Sequence, residues 1–135
     1  MSEEVAAPLA LVRGADLELA AAQTPGMSRF EAISRRRNGS RHLWLGISRM
    51  APGARSGDHH HGESETGIYV VEGSPVFVFA EDGVERRLEA GPGDFVLVPP
   101  HAPHREENPG TTEAVVVLAR STDEAIVVNL DGLFD

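Results

Sequence analysis

Short apolar runs alternating with polar residues recur along the whole chain, and none keeps a helical period long enough to claim an extended helix. Leu43, Leu45 and Ile47 alternate with Trp44, Gly46 and Ser48, a period of two that predicts a strand ended by Pro52-Gly53. Residues 68–71, 76–79, 84–88, 95–98, 115–118 and 126–130 predict further short strands, and residues 9–12 and 17–19 add two near the start. Ala20-Ala21-Ala22 reads as part of a helical turn. Asn38-Gly39 and Asp82-Gly83 read as tight hairpin turns, because both dipeptides tolerate positive φ. The run at 95–98 looks like a buried strand and stops at Pro99-Pro100, where the ladder donor is lost. The pattern predicts an all-β domain of nine or ten short strands, closed as a barrel or a double-sheet jelly roll so that few edges stay open.

Composition narrows the class. The 135 residues suit one domain, and 41% hydrophobic with 24% charged residues describes a soluble globular chain. Fourteen Gly and nine Pro favour many turns. A net charge of −9 lacks the basic face that a nucleic acid or an anionic membrane surface requires. The basic cluster Arg35, Arg36, Arg37 and Arg41 could hold a phosphate, and reads more simply as a solvated hairpin end. The absence of Cys excludes disulfides, thiolate metal sites and cysteine nucleophiles. The acidic start Met1-Ser2-Glu3-Glu4 lacks the features of a secretion signal, and the longest apolar run, 114–119, is far below the ~20 residues of a membrane span. The expectation is a cytoplasmic protein.

Chemistry concentrates in the histidines. Of six, five lie in two short stretches, Asp58-His59-His60-His61-Gly62-Glu63-Ser64-Glu65 and Pro99-Pro100-His101-Ala102-Pro103-His104. On an extended segment His59 and His61 point to one side and His60 to the other. Two imidazoles with a nearby carboxylate form a half-site for a divalent metal, which a residue from the second stretch could complete across a barrel. In isolation a His triplet is an ordinary polar turn; the second stretch turns the reading toward metal.

With these stretches the sequence resembles the cupin superfamily. The family's first motif, G-x5-H-x-H-x3-4-E-x6-G, is followed by Gly53, His59, His61 and Glu65, although seven residues rather than six then precede Gly73, which suggests a one-residue bulge. The second, G-x5-P-x-G-x2-H-x3-N, is followed by Gly93, Pro99, His104 and Asn108, with His101 in place of the glycine. The resemblance implies a double-stranded β-helix (jelly-roll) barrel over 43–120, preceded by N-terminal strands or an arm over 1–42 and completed by a C-terminal strand in 121–135. It implies one divalent transition metal held by His59, His61, Glu65 and His104. Counting back from Gly73 selects Thr66 instead of Glu65, which leaves a three-His site with a water, or with Glu63 or His60 drawn in. Iron, manganese, nickel, cobalt, copper and zinc all suit such donors.

The remaining features have plainer readings. His101 is a mouth residue and the candidate for substrate binding or proton transfer. Arg105, Glu106 and Glu107 read as a solvated strand edge, and Trp44, Tyr69, Phe77 and Phe79 as barrel core or wall. The expected function is that of a metal-dependent enzyme acting on a small organic molecule, foremost an oxygenase. A cyclase or isomerase of the polyketide-cyclase cupin type, and a non-catalytic ligand- or metal-sensing module, are the alternatives. A homodimer is expected, with residues 9–12 and 126–130 covering or extending a sheet edge.

Overall fold

The computed structural model describes residues 8–20, 25–122 and 126–134. Among these, eleven strands form two antiparallel sheets. They are β1 (Glu18–Leu19), β2 (Met27–Ile33), β3 (Trp44–Met50), β4 (His59–His60), β5 (Thr66–Glu72), β6 (Val76–Glu81), β7 (Val84–Glu89), β8 (Phe95–Val98), β9 (His104–Glu107), β10 (Ala114–Arg120) and β11 (Val128–Asn129). One sheet runs β1-β2-β3-β10-β5-β8 and the other β11-β4-β9-β6-β7, the layout of a jelly roll. No helix among the described residues is long and apolar enough to cross a membrane.

The core lies between the sheets, where Trp44, Ile68, Val70, Val116 and Leu118 of the first pack against Phe77 of the second. In β3 the inward face is Trp44, Gly46, Ser48 and Met50, all buried, while Leu45 and Ile47 are half-buried on the outer face. Gly46 is required there, because a Cβ would collide with the Phe30 carbonyl and the Trp44 ring. Trp44 closes the interior, donating its indole N–H to Glu31 Oε1 at 2.8 Å. In β8, Val98 is buried but Phe95 and Leu97 are exposed, so the run expected to be buried is an edge strand with one outward face.

The Asp82-Gly83 hairpin forms as expected, with φ of 52° and 75° at its two central residues. Asn38-Gly39 does not form one. Residues Arg35–Asn38 make one short helix, α1, whose N-cap Ser34 accepts the Arg37 N–H and whose last turn ends on left-handed Gly39. Arg35, Arg36 and Arg41 are exposed, as expected, but they lie on and beside this helical turn and not at a hairpin end. Arg36 pairs with Glu18 and Glu31, and Arg37 reaches the carbonyls of Glu31 and Asp16, tying the N-terminal arm to β2.

The chain ends also differ from expectation. Residues 9–12 form no strand, and Leu9 and Leu11 are exposed. Of the predicted 126–130 strand only β11 pairs, and it extends its own chain's sheet at β4, with Val128 opposite His60 and Asn129 opposite His59. In the alanine run 20–22, Ala21 and Ala22 lie outside the described residues.

Candidate metal centre

Three histidines converge between the sheets. β4 and β9 are neighbours with His59 directly opposite His104, and His61 follows two residues after His59, just past the end of β4. Their ring centroids lie 4.4 to 5.2 Å apart. One nitrogen of each lies within 4.8 Å of the other two, and all three residues are buried. His60 alternates away: its Nδ1 accepts the Gly62 N–H at 2.9 Å, and its ring meets His101 edge-on at 5.6 Å.

Hydrogen bonding sets the tautomer of the three. Nδ1 of His59 faces the Gly57 carbonyl at 2.8 Å, that of His61 the Ile126 carbonyl at 2.7 Å, and that of His104 the Ala102 carbonyl at 3.0 Å. A carbonyl can only accept, so each Nδ1 carries the proton and each Nε2 presents a lone pair. This is how metal-binding imidazoles are oriented, with the distal nitrogen locked by a backbone acceptor. His104 Nε2 is buried with no hydrogen-bond partner among the described residues, as expected of an atom reserved for a ligand. The donor set fits a divalent transition metal, and the cluster could hold one.

Glu65 does not join this cluster. Its side chain is exposed, and the alternation of β5 turns Thr66, Ile68 and Val70 inward instead. A one-residue bulge does occur in β5, where Val71 stands unpaired between Glu72↔Val115 and Val70↔Val116. It lies downstream of Thr66 and so leaves the inward face at the strand's start unchanged. Glu63 is exposed as well. His101 sits on the rim, exposed, with φ of 59°; the left-handed backbone is what a glycine at this motif position would supply. Motif residue Asn108 is structural: buried, it donates to the carbonyls of Met50 and Thr112 and accepts the Gly110 N–H.

Glu106 is not a solvated edge residue. His104 and Glu106 share the inward face of β9, and Glu106 Oε1 lies 3.8 Å from His104 Nε2 in a buried position. The same i, i+2 alternation that pairs His59 with His61 signals this placement once His104 is known to face inward. Arg105 and Glu107 take the outer face, where Arg105 pairs with Glu107, Asp58 and Glu85.

Burial pushes His61 down to about 3, reinforced by the Arg120 charge, and burial likewise lowers His59. The folded protein therefore resists protonating imidazoles that the unfolded chain protonates near 6.5. Between those values the unfolded state binds more protons, so stability falls as pH falls. For the metal-free protein we predict a loss from His61 of about 2 kcal/mol between pH 7 and pH 5. Urea unfolding at the two pH values reads this directly, and equal midpoints would contradict the burial of neutral imidazoles.

A two-sheet β-fold whose interior carries three Nδ1-protonated imidazoles defines a jelly-roll protein with a candidate metal centre. The family described as Cupin domain matches residues 46–120, and the chain belongs to it. The 3-hydroxyanthranilate 3,4-dioxygenase of Burkholderia cenocepacia is 32% identical over 81 residues, which are 60% of this chain and 46% of that protein. The chain spans about half the length of the curated relatives it matches. Among solved structures, the oxalate decarboxylase of Bacillus subtilis, which carries Mn(II) centres, aligns with TM-score 0.73 and 25% identity over 84% of this chain and 30% of that one. The polyketide cyclase RemF from Streptomyces resistomycificus shares the fold over 91% of this chain and 86% of its own, with TM-score 0.76 and 22% identity.

Proposed function

We propose that this cupin is a metal-dependent enzyme acting on a small organic molecule, foremost as an oxygenase. The observation carrying the proposal is the locked tautomer of His59, His61 and His104, which brings three basic nitrogens together between the sheets. These three would hold one divalent transition metal. Such an ion, when bound, acidifies a coordinated oxygen and holds reactants side by side. The protein contributes the apolar pocket beside His104, the fixed imidazoles and the Glu106 carboxylate, which is placed to accept a proton or a hydrogen bond from a bound molecule. The likeness to a 3-hydroxyanthranilate 3,4-dioxygenase supports the oxygenase reading.

A second reading is favoured by one feature. With Thr66 inward where a ligating carboxylate could stand, the three converging donors are neutral imidazoles that bring no charge to a bound ion, which leaves Glu106 beside His104 to offset part of it. Neutral donors strengthen a Lewis acid, which suits a cyclase or isomerase that needs no oxygen.

Elemental analysis followed by oxygen-electrode assays separates these readings. Purified protein is expected to carry close to one transition-metal ion per chain and, with dihydroxy-aromatic or enolisable compounds, to consume oxygen. Conversion without oxygen uptake would support the cyclase or isomerase. Metal binding with no turnover would overturn both and leave a sensing module.

A further inference from the structure

Five buried side-chain atoms have no hydrogen-bond partner among the described residues: Arg29 Nε, Thr66 Oγ1, His104 Nε2, and Nε and Nη1 of Arg120. Native interiors seldom leave such groups unmatched, so five together mark a surface suited to a polar partner. They are not scattered. In the first sheet Arg120 stands directly opposite Thr66 on one side and Trp44 on the other, and Arg29 stands opposite Ser48. Residues directly opposite in an antiparallel pair share one face, and here that is the inward face, looking toward the histidines of the second sheet. Arg120 is only 2% exposed. Its guanidinium lies 5.0 Å from the Trp44 ring, a contact that supports the plane of the group but leaves Nε and Nη1 unmet.

The charges point the same way. Arg29 and Arg120 bring two cations to the inward face of the first sheet; on the facing β9 Glu106 turns inward while Glu107 is held by Arg105 on the outer face, and Glu31 of β2 is already held by Arg36 and Trp44. The arginine charge reaches the cluster, since Arg120 lowers His61 and Arg29 acts on both His59 and Glu106. Among the described residues the interior here thus keeps an excess of positive charge, which a bound metal would enlarge. Beside it, His104 borders an apolar pocket of about 370 Å³ lined by Phe77, Phe79, Leu88, Val96 and Val98.

We propose that Arg120 and Thr66, flanked by Arg29, form a carboxylate-binding subsite facing the histidine cluster, so that the molecule this protein takes is a small organic acid whose apolar body lies in the pocket beside His104. This deepens the reading of the cavity as a small-molecule site and rests on it. The acid oxygens accept from the guanidinium edges and the Thr66 hydroxyl, supplying inside the cavity the negative charge that Glu65, facing outward, does not.

The test uses benzoate, its neutral analogue benzamide, and inorganic phosphate, titrated by calorimetry into the Mn(II)-loaded and the metal-free full chain. Benzoate should bind roughly tenfold or more tightly than either other probe, in both forms. Arg120→Met should weaken benzoate by roughly tenfold or more and leave benzamide and bound metal unchanged. It should also raise or preserve the thermal midpoint without ligand, because an unpaired buried charge has been replaced by an apolar chain. A purely packing role for Arg120 would instead lower the midpoint and spare benzoate binding, and that result overturns the subsite. Thr66→Val should weaken benzoate by about fivefold, and decides the matter if Arg120→Met does not fold: unchanged affinity there also overturns it. Phosphate binding more tightly than benzoate would overturn the carboxylate assignment. Arg120-dependent benzoate binding in a protein that holds no metal would sustain the subsite while removing the metal-enzyme reading. Metal binding with no benzoate binding would do the reverse.

Discussion

His104→Ala should lose bound metal by roughly 100-fold or more in affinity, while His60→Ala should hold metal within about threefold of the unaltered protein. The contrast follows from where each ring points. His104 presents an Nε2 with no other partner and a protonated Nδ1 anchored on the Ala102 carbonyl. His60 spends its Nδ1 on the Gly62 N–H and packs against His101 on the far side of the strand. Removing His104 deletes one of three donors. Both variants should keep the β-rich circular dichroism of the parent, since neither ring belongs to the apolar cluster around Trp44. Metal titration monitored by elemental analysis after dialysis reads the outcome. Equal loss in the two variants would show that the triplet is turned the other way. Retention in both would place the metal elsewhere.

Trp44→Ala should lower stability by about 3–5 kcal/mol, or roughly 10–20 °C in thermal midpoint. Trp44 is fully buried, the largest side chain to be so, and three separate interactions meet on it. Its ring lies beneath the Arg120 guanidinium, its indole N–H binds Glu31, and its face packs against the glycine that lets β2 and β3 approach. Truncation leaves a cavity and strips Glu31 of a donor while burying Arg120 against nothing. Trp44→Phe, which keeps most of the volume but not the N–H, should cost only about 1–2 kcal/mol. A Trp44→Ala midpoint within a few degrees of the parent would mean that the interior collapses around the gap, and that Trp44 is not the closure of the core.

Local pattern carried a good deal of this protein. Alternation and turn residues sufficed for the β class, for most strands and for the Asp82-Gly83 hairpin, because strand periodicity and positive-φ turns are properties of a few adjacent residues. Spacing in the two histidine stretches likewise picked out His59, His61 and His104 as the residues to watch, and the structure brings these three together. What pattern could not settle was which way a strand faces when both faces carry plausible residues. In β3 the aliphatic positions look like the core face, yet Trp44 and Gly46 turn inward, because only glycine lets the backbone of β2 come so near. In β9 the charges His-Arg-Glu-Glu resemble a solvated edge, and only the pairing of His104 with His59 shows that Glu106 is enclosed. At the start of β5, Glu65 and Thr66 are one residue apart, and a shift of one residue exchanges the two faces. Asn38-Gly39 has the signature of a hairpin, but Ser34 caps a helical turn and the arginines dock on acids from two other segments, contacts no local window contains. The acceptor that orients His61 comes from Ile126, 65 residues away. Residue types and spacing thus named the chemistry available to this chain, whereas facing and long-range contacts decided which of those groups share a cavity, since burial is a property of the assembled sheets and not of any one strand.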